Sequence, residues 1–209
     1  MPTEAQILEA ARNATQGVYE RHAASWHAGR LRNLYERIWL DPFMKTLPSK
    51  SRVLDLGCGT GAPVAEFFLG KGFEVVGVDY APSMIEFAKA ALPSVAWHVG
   101  DIRALPPLGH FDGIYSWDGF FHLSVKEQRA ALPALSRLIR PGGALLLTVG
   151  TGEGEVTGTV EGETVYHASL SPTEYEETLR ACGFEHVIYK ADDPDCMRRS
   201  LILASGMND

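Results

Sequence analysis

Apolar residues change their rhythm once along this chain, near residue 50. Before that point they recur at helical spacing. Ile7, Leu8 and Ala11 share one face of a first helix, and Leu31, Leu34, Tyr35 and Ile38 mark a later one. Asp41-Pro42 restarts a helical turn, with Asp as N-cap and Pro at the first helical position. Pro48-Ser49-Lys50 then breaks the chain. Beyond it, short β-branched runs alternate with amphipathic stretches. The runs predict strands at Arg52–Leu56, Glu74–Asp79, Ala96–Val99, Phe111–Ser116 and residues 144–149. Helices are predicted between them at residues 63–71, 83–92 and 125–139, the last opened by the capping box of Ser124 and Glu127. Strand, helix, strand in this order means right-handed crossovers and a parallel sheet.

The final third reads differently. Residues 151–163 are rich in Gly, Thr and Glu and read as a flexible loop or a short hairpin. Ser171-Pro172-Thr173-Glu174 opens a helix that runs to Cys182, where Gly183 stops it. Two strands follow at residues 185–190 and 199–204. The turn residues Asp192-Asp193-Pro194-Asp195 join them, so they pair antiparallel. The expected fold is therefore α/β and doubly wound. Its mostly parallel seven-stranded sheet ends in an antiparallel C-terminal pair and carries helices on both faces. One compact unit is expected, with residues 1–50 as an N-terminal helical cap and 51–209 as the α/β domain.

Composition narrows the function classes. The chain has 209 residues, enough for one domain with a sizeable core, and 45% of them are hydrophobic. A formal net charge of -7 repels phosphate backbones and argues against a nucleic-acid partner. Three cysteines, Cys58, Cys182 and Cys196, make neither a disulfide framework nor a zinc site. The histidines are scattered, so no metal is expected. The start lacks a basic, then apolar leader, and no apolar run is long enough to span a bilayer. A cytoplasmic protein with no membrane partner is expected, and its oligomeric state is not legible.

The strongest chemical signal is Val53-Leu54-Asp55-Leu56-Gly57-Cys58-Gly59-Thr60-Gly61, which joins a buried strand to a helix. Glycines there permit a tight turn and let a ligand approach the backbone. Gly57, Gly59 and Ala62 also fit the looser dinucleotide fingerprint, and Asp79 stands about twenty residues on, as that fingerprint requires. The glycine spacing alone leaves NAD open. Asp55 points elsewhere: a carboxylate beneath the loop repels a pyrophosphate and suits the ammonium of an amino-acid ligand.

Residues 53–61 resemble, at every position, the first motif of the class I methyltransferases that use S-adenosylmethionine. The resemblance continues in order through Asp79, Gly100-Asp101-Ile102, residues 111–116, Phe121-His122-Leu123, Ile139-Arg140-Pro141-Gly142-Gly143 and Ala181-Cys182-Gly183-Phe184. It covers residues 50–205. It departs from the family where Phe121 replaces the first His of an HHL-like segment. The resemblance implies S-adenosylmethionine as cofactor and S-adenosylhomocysteine as product. It implies that Asp55, Gly57, Gly59 and Gly61 hold the methionine end and that Asp79 takes the ribose hydroxyls. Tyr80 and Met84 would line the nucleoside, Asp101 and Ile102 would meet the adenine, and Ser116 and Trp117 would lie near the sulfonium. Cys58 falls among these cofactor-side residues, its thiol a small packed group rather than a nucleophile.

The pattern Tyr19-Glu20-x-x-Ala23-x-x-Trp26 is similar to the family's cap, which folds over the cofactor. It implies that Tyr19 and Trp26 close the site and that Arg30 stands near the methionine carboxylate. Methyl transfer from a sulfonium chiefly needs alignment and dryness, and a base only where the nucleophile must lose a proton. His122 is the candidate base. Trp26, Asp118, Tyr166 and His167 are candidate substrate contacts, and Arg198 and Arg199 are carboxylate-binding candidates. No Asn-Pro-Pro-Tyr segment follows the fourth strand, which argues against planar-nitrogen targets. A small-molecule acceptor is expected. A nicotinamide-dependent oxidoreductase and a non-catalytic cofactor-binding module are the alternatives.

Overall fold

The computed structural model describes residues 1–208. Its centre is a seven-stranded sheet built from β1 (Arg52–Leu56), β2 (Glu74–Asp79), β3 (Ala96–Val99), β4 (Phe111–Ser116), β5 (Ile139–Val149), β8 (Phe184–Asp193) and β9 (Arg199–Met207). The strand order is β3-β2-β1-β4-β5-β9-β8. β1 pairs parallel with β2 (Leu54↔Val76) and with β4 (Leu54↔Ile114), whereas β9 runs against both β5 (Leu146↔Leu203) and β8 (Ile188↔Leu203). The predicted doubly wound, mostly parallel sheet with an antiparallel C-terminal pair is the fold observed.

Because the central strands are covered on both sides, nearly every position in them is apolar. One face buries Leu54, Leu56, Val76, Val78, Ile114, Leu145 and Leu147 against α5 (Val125–Ser136) and α6 (Pro172–Ala181). The alternate residues Val53, Val75, Tyr115 and Leu146 meet Phe43 of α2 (Arg37–Lys45), Phe68 of α3 (Val64–Gly70), and Ile85 and Ala88 of α4 (Pro82–Ala91). A fully buried Leu or Phe contributes about 1.5–3 kcal/mol, so these two layers dominate the stability. Among the described residues no helix is long and apolar enough to cross a membrane.

Three sequence expectations change. The helix expected over Leu31 to Ile38 is not there. A single 26-residue helix, α1 (Glu4–Gly29), ends before it, and an irregular connection leads into α2 at Arg37. α2 therefore begins before Asp41-Pro42, and Pro42 lies inside it. Asp41 is not its N-cap but accepts from Arg37 Nε one turn earlier, at 2.9 Å. The helix tolerates Pro42 because Ile38, whose carbonyl loses its helical donor, lies at the surface. β5 starts five residues earlier than expected, since Ile139 pairs with Phe111 and the turn at Arg140–Gly143 is absorbed as a bulge before Gly113↔Ala144.

The Gly-rich stretch is a hairpin and not a loop. β6 (Gly154–Val160) and β7 (Glu163–Ser169) form their own two-stranded sheet. Glu161 and Gly162 make its turn, both with positive φ, the geometry that matches strand twist in a two-residue connection. α1 lies against this hairpin. Ala11 packs with Tyr166 and Ala168, and the Tyr166 backbone N–H donates to Thr15 Oγ1 at 3.0 Å.

Candidate active site

The strand order reverses between β1 and β4, and a crevice opens at their carboxyl ends, the usual ligand position in such sheets. The loop after β1 lines it. Gly57, Gly59 and Gly61 all have positive φ (69°, 52° and 78°), which only glycine adopts cheaply. The Gly57 N–H donates to the Val78 carbonyl at 2.8 Å, tying the loop to β2. A Cβ on Gly57 would sit 3.1 Å from the Gly119 backbone, so this loop and the one after β4 touch.

Three acids stand around the crevice. Asp55, near the end of β1, is 3% exposed. Burial pushes its carboxyl up to about 8, and Asp79 pushes the same way while Tyr115 and Arg30 pull back. Asp79 ends β2 and accepts the Gly59 N–H at 2.8 Å and the Ala81 N–H at 2.9 Å. Burial raises it to about 6 against those two bonds. Asp101 follows β3. Burial opposes its ionisation, but its ion pair with Arg103 outweighs that and holds it below the usual carboxylate range.

The pocket is lined by Asp55, Gly57, Cys58, Gly59, Gly61, Asp79, Tyr80, Met84, Asp101, Ile102 and Trp117, the residues the motifs singled out on the cofactor side. Ser116 is the exception. It is 1% exposed and its Oγ donates to the Leu56 carbonyl at 2.7 Å, beneath the loop rather than in the crevice. Strand alternation turns the side chain after Tyr115 inward.

α1 closes the pocket from above with Thr15, Tyr19 and Trp26, and Arg30 follows at its C-cap. Polar contacts fix it there. Gln16 Nε2 donates to the Tyr80 carbonyl at 2.7 Å, and Glu20 accepts the Ser83 N–H (2.9 Å) and Oγ–H (2.6 Å) at the start of α4. Arg21 and His22 both reach Glu163 at the hairpin turn. Glu20 stands at the acidic position of the N-terminal pattern. Thr15 carries no signal in the sequence.

His122 ends the 3-10 turn Phe120–His122 after β4 and reaches the pocket. Its Nδ1 lies 2.7 Å from the Tyr166 carbonyl, which can only accept, so Nδ1 carries the proton. Nε2 then accepts the Tyr19 hydroxyl at 2.9 Å. Burial lowers His122 to about 4. Its lone pair is taken, and it is neutral at physiological pH. Tyr166 meets the site only through that carbonyl, because its side chain packs under α1 with Leu8 and Ala11. His167 stands outside the pocket lining, with its ring 4.7 Å from Phe121 and 5.1 Å from His122. Asp118 lines the pocket with φ +55°, an uncommon conformation for a residue with a Cβ. Its backbone N–H donates to Thr148 Oγ1 at 2.7 Å, and Arg199 grips its carboxylate through Nη2 (2.7 Å) and Nε (3.2 Å). Arg199 thus faces inward to a carboxylate of the chain itself.

An acid beneath the glycine loop and unpartnered buried polar atoms on Thr60, Tyr80 and Trp117 fit a ligand with an amino-acid tail and a nucleoside. The acid beneath the loop does not fit a diphosphate. Residues 53–143 match a methyltransferase-domain family. The magnesium-protoporphyrin O-methyltransferase of Rhodobacter capsulatus is 37% identical over 103 residues, 47% of this chain and 44% of that protein. The trans-aconitate 2-methyltransferase of an Azoarcus strain is 34% identical over 122 residues, 56% of this chain and 43% of that protein. The match thus spans less than half of either relative. Among solved structures, an amino pentose methyltransferase from Micromonospora echinaspora with S-adenosylmethionine bound superposes with a TM-score of 0.68 at 24% identity, over 89% of this chain and 96% of the other. Residues 53–143 are thus similar to a methyltransferase domain, and the chain as a whole shares the fold of the amino pentose methyltransferase.

Proposed function

We propose that this protein moves the methyl group of S-adenosylmethionine to a small-molecule nucleophile that brings its own lone pair, an amine or a carboxylate. One observation carries the choice: the only histidine in the pocket lining has its free nitrogen occupied by Tyr19 and its pKa lowered to about 4. Such a group is a poor acceptor for the proton of an alcohol or phenol. An amine in its free-base form and a carboxylate have no proton to lose before attack.

When bound, the cofactor supplies an electrophilic methyl on a sulfonium that leaves as a neutral thioether without acid help. The chain's residues bind and align. Asp55 faces the ammonium, Asp79 the ribose diol and Asp101 the adenine amino group. α1 keeps water out, which sharpens every polar contact inside. Asp118, held by Arg199, and Trp26 stand where an acceptor is oriented. The relatives named above act on an aconitate and an amino pentose, in keeping with the two acceptor classes. The charge of -7 favours a small acceptor over nucleic acid, and three unpaired cysteines support a cytoplasmic location.

Calorimetric titration with S-adenosylmethionine, S-adenosylhomocysteine and NAD tests the cofactor. Micromolar binding of the first two without NAD is expected, and binding of NAD alone would return the loop to its dinucleotide reading. Transfer of labelled methyl to panels of amines, carboxylates and phenols tests the acceptor. Turnover confined to phenols would refute the lone-pair argument.

A further inference from the structure

The hydrogen bonds around His122 run in one direction. The Tyr166 carbonyl takes the Nδ1 proton, so Nε2 takes the proton of the Tyr19 hydroxyl. The Tyr19 oxygen then has only lone pairs to offer a ligand. Burial first, and the Asp118 charge second, keep that hydroxyl protonated and so hold the direction. Asp118 lines the same pocket, and its carboxylate also only accepts. Arg199 fills two of its roughly four lone-pair positions, at 2.7 Å and 3.2 Å, and leaves the others open. The backbone takes a positive φ of 55° to put this acid there.

Charge points the same way. Two guanidiniums of the lining are engaged by acids, Arg30 by Glu36 and Arg103 by Asp101 and Glu127. Arg12 stands two helical turns before Tyr19, about 10 Å along α1. Trp26 lies edge-on to Tyr19 at 5.5 Å between centroids, which adds aromatic surface that tolerates a cation. An acceptor at this wall meets lone pairs and an acid. A carboxylate is repelled there, whereas an N–H group is paired.

The reaction sharpens the choice. In transfer to a free amine the C–N bond forms, the C–S bond breaks with its electron pair left on sulfur, and the positive charge passes to nitrogen. The methylated ammonium gives its extra proton to water after release. In transfer to a carboxylate, a negative charge is extinguished instead. An acid fixed beside the nucleophile stabilises the first change and not the second.

We propose that Asp118 and the Tyr19 oxygen form an acceptor-only subsite that selects a primary or secondary amine, and rejects a carboxylate, as the group to be methylated. This rests on the small-molecule reading above and narrows its two acceptor classes to one.

The test is calorimetric titration of the wild type, Asp118→Asn and Tyr19→Phe with S-adenosylhomocysteine and with sinefungin, in which a carbon bearing an ammonium replaces the sulfur. The wild type should bind sinefungin about tenfold or more tightly than S-adenosylhomocysteine, the worth of one hydrogen bond between charged groups. Asp118→Asn should abolish that preference, and Tyr19→Phe should reduce it about threefold or more. Asn adopts the positive φ as readily as Asp, and S-adenosylhomocysteine binding within about twofold of wild type shows that each variant is folded. No preference in the wild type, or a preference that survives both substitutions, would overturn the subsite. Wild type that binds neither ligand overturns the cofactor reading with it. In the labelled-methyl panels, turnover of amines and not carboxylates is expected. Turnover confined to carboxylates overturns the amine assignment alone, and where no panel member turns over the titration decides.

Discussion

Replacing Asp55 by Asn should make the ligand-free protein more stable as the pH rises. The carboxyl is 3% exposed, and burial lifts it from an ordinary 3.8 to about 8. Its folded-state pKa therefore lies above its unfolded one. Such a group favours the native state fully only below the unfolded value, and that advantage is lost as pH climbs toward the folded value. Each pH unit in this window removes about 1.4 kcal/mol. Between pH 5 and pH 7 the wild type loses about 2.7 kcal/mol through this one residue. Asn has no proton to give up, so the stability gap between variant and wild type should widen by that amount. Asp79, raised to about 6 for the same reason, titrates in both proteins and cancels. Urea unfolding followed by circular dichroism at pH 5, 6 and 7 measures the gap. S-adenosylhomocysteine should narrow or reverse it near neutrality, because its ammonium pairs with the ionised carboxylate that only the wild type has. Parallel stability curves, with a gap changing by less than about 0.5 kcal/mol, would refute the claim that an acid is buried there at a cost.

Other outcomes follow from the same geometry. Asp79→Ala removes the acceptor of the Gly59 and Ala81 N–H groups as well as the ribose contact, and should weaken S-adenosylhomocysteine about 100-fold or more by calorimetry. Tyr19→Phe strips the buried His122 Nε2 of its donor and should cost about 1–3 kcal/mol in urea unfolding, without changing the His122 tautomer. Nitrogen NMR of the imidazole should show the Nδ1–H form down to about pH 5, with protonation centred near 4; a charged ring at pH 6 would contradict the assigned contacts. Gly77→Ala puts a methyl 2.1 Å from the Trp97 ring, which is itself fixed by its N–H to the Leu92 carbonyl. It should destabilise by about 1–3 kcal/mol or prevent folding, read as soluble yield and urea midpoint.

The parts of the fold that were legible are those where the local pattern and the tertiary role coincide. β1, β2 and β4 are buried on both faces, so their apolar runs end where their pairing ends, and the predicted boundaries match. The same holds for the glycine loop, whose three positive-φ residues permit little other than Gly. The connection from Arg30 to Glu36 was misread as helix because Leu34 and Tyr35 are apolar for tertiary reasons. Tyr35 packs against Trp117 and two guanidiniums, and Leu34 takes φ +50°, which no helix allows. The composition of residues 151–163 left loop and hairpin both open, since β6 is largely exposed and its Gly and Thr residues need no apolar alternation. Ser116 followed the motif in sequence but lost its place to pleat geometry. The link from Tyr19 through His122 to the Tyr166 carbonyl joins residues 103 and 44 positions apart. No local spacing announces such a chain.

The pocket also divides along the sequence. Asp55, Asp79, Asp101, Trp117 and Asp118 fall within the continuous stretch matched by the family model, residues 53–143. Tyr19, Trp26 and Arg30, and Arg199 behind Asp118, come from segments on either side of it. A chain built this way keeps its glycine loop and three acids in one continuous block and can exchange the flanks that close the pocket. New acceptors then become accessible by replacing a helix or a hairpin, with no redesign of the sheet that holds the methyl source.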